Sequence, residues 1–262
     1  MARENKQPFI LYEDNHILAA VKEPGILSQE DFSGKPDMVN LIKKYLTVSR
    51  NKPGNAWLGL LHRLDQPASG VMIFALTSKA AARMSAAFRS NQVGKYYLAL
   101  VHGIPDLPAA RLTDYLSYTK KDGRYHTCSK EQGRAADLEY RLVLTFETEN
   151  TTISLLLIRL LTGRPHQIRV QFAQRQMPLL GDRRYGIGCA LDQKAPTLAL
   201  HSYMIDFSHP VKKTRLKIKA PLFYGKKAVN PSFAIAHDFL NLETISEYIE
   251  LMARGADYLK DF

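Results

Sequence analysis

Short stretches of β-branched and aromatic residues recur along this chain, each closed by polar turn residues, and that rhythm constrains the fold more than any other feature of the sequence. Strands are built from such stretches because branched and aromatic side chains pack well on a pleated surface. Candidate strands cover residues 10–12, 17–21, 71–76, 96–102, 138–146, 152–160, 198–207 and 214–219. The first two flank Glu13-Asp14-Asn15, a polar turn that predicts an early hairpin. Helical patterning is rarer. A helix is predicted over 78–90, with Ser78 as N-cap, and another over 165–176, with Pro165 at its first position. Two more are expected within 234–259, while 103–134 lacks a clear period and fits either a long insertion or irregular strands. The expected class is α+β with a sheet-rich body.

Charge narrows the partners. Lys and Arg number 36 against 25 Asp and Glu, a net +11, so the surface attracts polyanions and nucleic acid is the leading partner class. Residues 232–262 hold six acids and two bases, leaving +15 for residues 1–231. The expected organisation is a catalytic body at 1–231 and an acidic helical extension at 232–262 packed on or near it. Cys128 and Cys189 lack C-x-x-C or paired-His spacing, which reads as reduced thiols rather than a zinc site or disulfide, and no metal is expected. The longest apolar runs, 71–76 and 153–158, fall short of the roughly 18 residues a membrane span needs. A cytoplasmic protein without membrane partner is expected.

Two strings concentrate reactive side chains. LGLLHRLDQPASGVMIF delivers His62-Arg63-Leu64-Asp65 into a Pro, Ser and Gly turn ahead of the 71–76 strand. A loop held by a rigid sheet is where catalytic groups gather, although an Asp in such a turn also caps its own backbone. LIRLLTGRPHQIRVQFA carries Arg164, His166, Gln167 and Arg169 at the start of the second predicted helix. Free amides, helix dipole and guanidinium groups suit a phosphate or carboxylate, and equally a solvated helix face. Between the two strings, Lys95, Tyr97, Ala99 and Val101 share one face of a strand. Tyr97 suits either a core or a stacked base. Arg215, Lys217 and Lys219 alternate with Leu216 and Ile218, giving a basic strand face open to RNA or to solvent.

Taken in order, these strings resemble the RluA family of RNA pseudouridine synthases from about residue 10 to about residue 220. Lys22-Glu23-Pro24-Gly25 is similar to the family's K-P-x-G turn. H-R-L-D with Ser69-Gly70, K-x-Y-x-A-x-V-x-G at 95–103 and T-G-R-x-H-Q-I-R at 162–169 follow. L-G-D-x-x-Y-G at 180–186 and L-x-L-H at 198–201 complete the series, with His209-Pro210 beyond.

The resemblance implies a pseudouridine synthase catalytic fold, a long, mainly antiparallel mixed sheet flanked by helices and loops, with a basic active-site cleft. It implies that Asp65 is the catalytic aspartate, Tyr97 the tyrosine lying against the target uracil and Arg169 the basic residue paired with the acid. Arg63 is similar to the arginine that engages RNA around the flipped nucleotide. His62, Arg164 and His166 are further RNA-contact or site-shaping candidates, with Arg215 and Lys217 on the basic strand. The Gly181-Asp182 and Tyr185-Gly186 signature is expected to brace a loop beside the site. The implied substrate is structured RNA, ribosomal or transfer, and no cofactor is required; a monomer with no obligate protein partner is the default expectation.

The chemistry suits these residue types. Isomerising uridine breaks the N1–C1′ bond, turns the uracil in place and rejoins it through C5, with no net oxidation or hydrolysis. A carboxylate serves either by attacking C1′ or by taking a sugar proton to give a glycal. In a dry pocket it needs a fixed cation to stay charged, which an arginine supplies. The target base is out of reach while stacked, so the nucleotide must be extruded at a cost of a few kcal/mol that basic contacts to neighbouring phosphates can offset.

The family commonly has Thr before Ser-Gly where this chain has Ala68, and the small N-terminal RNA-binding module of many relatives is not expected here. Two rival readings remain open at this point. One is an RNA-binding or ribosome-assembly protein of the same fold without catalysis. The other is a basic hydrolase or nuclease acting through Asp65 and His62.

Overall fold

The computed structural model describes residues 7–50, 56–148, 151–224, 227–239 and 247–248. Strand β1 (Phe9–Glu13) turns into β2 (Ile17–Lys22) as expected from the sequence, because Asp14 Oδ1 accepts the backbone N–H groups of His16 and Ile17 at 2.8 and 3.0 Å. Helix α1 (Met38–Ser49) is an addition to the predicted elements. Asp37 caps it by accepting the N–H of Asn40, and Met38, Ile42 and Leu46 form a buried stripe at every fourth residue.

The chain continues through β3 (Gly59–Leu60), β4 (Ser69–Ala75), α2 (Ser78–Arg89) and β5 (Gly94–His102). The cap of α2 is Thr77 rather than Ser78, since the Thr77 hydroxyl is the one placed to accept the N–H of Ala80 at 3.2 Å. Residues 103–134, without a clear period in the sequence, are regular after all. β6 (Ala109–Thr119) and β7 (Arg124–Cys128) form a hairpin, and β6 also pairs with β8 (Arg134–Glu147). Then come β9 (Thr152–Leu160), α3 (Gln167–Ala173), α4 (Ala190–Lys194), β10 (Leu200–Ser208) and β11 (Arg215–Lys219). A small ribbon, β12 (Phe223–Tyr224) with β13 (Lys227–Ala228), leads to a 3₁₀ helix, Pro231–Phe239. The expected helices at 234–259 otherwise fall largely outside the described residues.

One 11-stranded sheet results, in the order β1-β2-β4-β10-β5-β9-β8-β6-β7, with β11 beside β10 and β3 beside β4. Every pairing is antiparallel except β4 with β10. That parallel contact is why position 70 is glycine. Gly70 has φ +117°, and a Cβ there would collide with the backbone of Ser202. Central strand β5 is buried on both faces. Tyr97, Ala99 and Val101 pack with the α1 stripe and with Ile168 and Phe172 of α3, while Tyr96, Leu98 and Leu100 pack with Phe233 and Ala236. The acidic C-terminal segment thus begins inside the core of the preceding residues, with no packing break at 231. Among the described residues, no helix is long and apolar enough to cross a membrane.

Candidate active site

The loop between β3 and β4 carries Asp65, and its backbone groups are held on several sides. Ala68 donates its N–H to the Asp65 carbonyl, closing a turn, and Thr197 donates its hydroxyl to the Pro67 carbonyl. Ser28 Oγ accepts the N–H of Leu64 and donates to its carbonyl. Gly25 donates its N–H to the Gln66 carbonyl. The wholly buried Lys22 ammonium donates to the carbonyls of Gln66 at 2.9 Å, Ala68 at 2.6 Å and Glu23 at 3.2 Å. Burial pushes the Lys22 ammonium down to about 7, and the charge of Asp65 works against that fall. The Lys22-Glu23-Pro24-Gly25 turn is therefore the clamp on the Asp65 loop. The sequence flagged the turn but not what its lysine holds.

Arg169 reaches Asp65 from α3. Its Nη1 donates to Asp65 Oδ2 at 3.0 Å, while Nε and Nη2 each donate at 2.7 Å to the two oxygens of Asp182. Burial disfavours the charges of Arg169 and Asp182, but each stabilises the other, which raises the arginine and lowers the carboxyl. Asp182 Oδ1 also accepts the N–H groups of Arg184 and Tyr185, so the loop after β9 and α3 locks the fork. The Leu180-Gly181-Asp182 signature, expected only to brace a loop, holds the guanidinium that faces Asp65.

Tyr97 projects from β5 and lines the same cleft, 7% exposed. Burial raises its phenol well beyond the usual tyrosine range, so it stays neutral. The cleft encloses about 810 Å³. Arg63, Arg89, Lys95, Arg164 and Arg169 line it against Glu30, Asp31 and Asp65, a basic surround with the acid inside. Lys95 Nζ donates to the Thr162 carbonyl at 3.4 Å, and burial together with nearby Arg164 lowers it to about 8.

Other expected residues are placed differently. His62 lines the cleft but its Nε2 accepts the N–H of Ile73 at 3.0 Å, taking over from the β3–β4 pairing just beyond Leu60, and its ring stacks on Phe88. Burial, then Lys95, lowers it to about 3, in keeping with a neutral ring whose Nε2 is taken up by the Ile73 N–H. Pro165 does not open α3. His166 is the N-cap, with φ 54°, and the loop before it is drawn back by Gln167, whose Oε1 accepts from Arg164 N–H and the Thr162 hydroxyl. Arg164 points its Nε to the Ala135 carbonyl at 2.9 Å. Arg215 and Lys217 do not line the cleft; Arg215 pairs with the buried Asp206 of β10. Among the described residues, His102, Cys189 and Asp192 bring possible ligand atoms within 4.8 Å of one another. The trio is knitted by its own bonds, as Asp192 accepts the N–H groups of Gly181 and Gly188 and pairs with His102 at 2.8 Å. It fixes the loop that carries Asp182.

The mixed sheet thus presents an arginine-paired aspartate in a basic, tyrosine-lined cleft, an arrangement that suits an enzyme acting on nucleic acid. A family model described as RNA pseudouridylate synthase matches residues 16–174. The dual-specificity RNA pseudouridine synthase RluA of Salmonella typhimurium is 32% identical over 234 residues, covering 84% of this chain and 99% of that protein. The ribosomal large subunit pseudouridine synthase C of Buchnera aphidicola is 32% identical over 227 residues, covering 84% of this chain and 69% of its own length. The solved structure of human RNA Pseudouridylate Synthase Domain Containing 4 has the same fold, with a TM-score of 0.68 at 20% identity over 87% of this chain and 91% of that one. The chain belongs to the RNA pseudouridine synthase family, isomerases that convert uridine in RNA to pseudouridine.

Proposed function

We propose that Asp65 opens the N1–C1′ bond of a uridine extruded from structured RNA, ribosomal or transfer, into the cleft. The observation that carries this reading is the Asp65–Arg169–Asp182 chain at the cleft wall beside Tyr97. Arg169 sets its positive charge against the negative carboxylate of Asp65, and Tyr97 forms the wall on which the detached uracil turns. Both routes to the product, attack on C1′ or removal of a sugar proton, start from the same ionised oxygen. Arg63, Arg164 and Lys95 supply positive charge for the phosphates flanking the extruded nucleotide. The reading includes a monomer working in the cytoplasm with no cofactor, and light scattering on the pure protein checks the monomer.

Purified protein is mixed with ribosomal and transfer RNA transcripts tritiated at uracil C5. Isomerisation releases the label and leaves strand length unchanged. Asp65→Asn should release none while binding RNA within about twofold of the parent, because shape is kept and only the ionisable oxygen is lost. Binding without release by the parent protein on every RNA tested would instead mark a non-catalytic assembly factor. Shortened strands would mark a nuclease.

A further inference from the structure

His166 is held in a conformation few side chains adopt. Its φ of 54° and ψ of 18° lie in the left-handed region, where a branched or bulky residue is strained. That backbone turns the ring across the cleft wall, edge-on to Tyr125 of β7 and to Tyr185 at centroid separations of 5.6 Å each. Tyr185 in turn lies beneath the Arg169 guanidinium at 5.1 Å.

The Tyr185 oxygen accepts the backbone N–H of Tyr125 at 3.0 Å and lies 2.8 Å from His166 Nδ1, where its own proton is free to be donated. A neutral imidazole whose Nδ1 accepts must carry its hydrogen on Nε2. Nε2 stands 3.9 Å from Asp65 Oδ2, the same oxygen that Arg169 Nη1 addresses at 3.0 Å. Both partners thus converge on Oδ2.

We propose that His166 is a positioning residue for the aspartate, its Nε2–H directed at Oδ2 as an electrostatic partner beside the Arg169 hydrogen bond, so that Oδ1 faces the ribose. The tautomer is set by Tyr185, and Tyr185 is set by the main chain of the β6–β7 hairpin, so the geometry of the acid is tied to that hairpin. This rests on Asp65 being the reacting carboxylate and extends it by assigning which oxygen reacts. The charged groups facing the ring are Asp65, Arg169, Asp182 and Arg184. Burial lowers the imidazole below its ordinary value, in keeping with the neutral tautomer.

The test compares single-turnover rates and RNA affinity for the parent, His166→Asn, His166→Gln and Tyr185→Phe on C5-tritiated RNA. A parent protein that never releases label refutes the proposed function and leaves this geometry unused; the comparison below presumes release. Asn tolerates the left-handed backbone, so His166→Asn folds, but its amide is too short to reach Asp65. Its turnover should fall about 10–100-fold with RNA affinity within about twofold. Gln extends an N–H to the place of Nε2 and should recover most of that loss. Tyr185→Phe keeps the ring packing, drops the hydroxyl and should lose about 10-fold. Full turnover by His166→Asn or Tyr185→Phe, weakened RNA binding with unchanged turnover, or a Gln variant no better than Asn would each overturn the assignment.

Discussion

A guanidinium offers five N–H donors in one fixed plane, and Arg169 divides them between two carboxylates. The fork on Asp182 is buried and bidentate, so it fixes the plane, and the remaining edge meets Asp65. Asp182→Asn should therefore act on both stability and rate. It replaces one charged acceptor in a buried pair, a change that costs about 3 kcal/mol, and lets the guanidinium swing from Asp65. Urea denaturation should show the loss of stability, and turnover should fall further than RNA affinity; an Asn variant with the parent's midpoint and rate would contradict it. The family resemblance brought Asp65, Tyr97 and Arg169 together, and the structure gathers them in one cleft. The resemblance did not assign Asp182 to Arg169, because 13 residues of helix and turn separate them and no periodicity links the two. The ladder role of His62 was illegible for a related reason, since its neighbours Arg63 and Asp65 drew it into a charged group.

At the scale of elements, strands were legible because alternation is local, and eight predicted strands match eight of the observed ones with ends shifted by a few residues. The hairpin of β6 and β7 was not, since its exposed, polar positions leave no clear alternation. Helix α1 was missed although Asp37 and the 38-42-46 stripe are a readable start and face. Its cap is open to a simple check. Asp37 Oδ1 accepts the Asn40 N–H at 3.0 Å, and Oδ2 accepts from the Asn40 side chain at 2.7 Å. Asp37→Ala should lower unfolding free energy by about 1 kcal/mol, seen as an earlier urea midpoint with an unchanged slope. An unaltered midpoint would mean that the first turn of α1 is held by packing alone.

For the whole molecule, burial and charge set how stability and RNA binding respond to solution conditions. His62 and His201 are pushed by burial to about 3 and about 4, below the ordinary 6.5. From pH 6.5 down to about 4 the unfolded chain therefore binds two protons that the folded chain refuses, so stability falls as pH falls, by up to about 1.4 kcal/mol per pH unit for each histidine. Carboxylates held below 3.8, such as Asp182 and Asp192, add their loss mainly below this window. His62→Gln keeps an acceptor for Ile73 and should flatten the thermal-midpoint curve in that window; an unchanged slope would remove His62 from the account. Net charge acts on binding rather than folding. A chain at +11 should bind RNA less tightly as salt rises, because each phosphate contact releases counterions. Which lysines and arginines set that slope separates the cleft from the rest of the surface. Arg63 lines the cleft, while Lys217 sits on β11 away from it. Arg63→Ala should reduce the slope of log affinity against log salt by about 0.7–0.9, and Lys217→Ala should leave it unchanged. The reverse pattern would move the RNA path from the cleft to the outer strand.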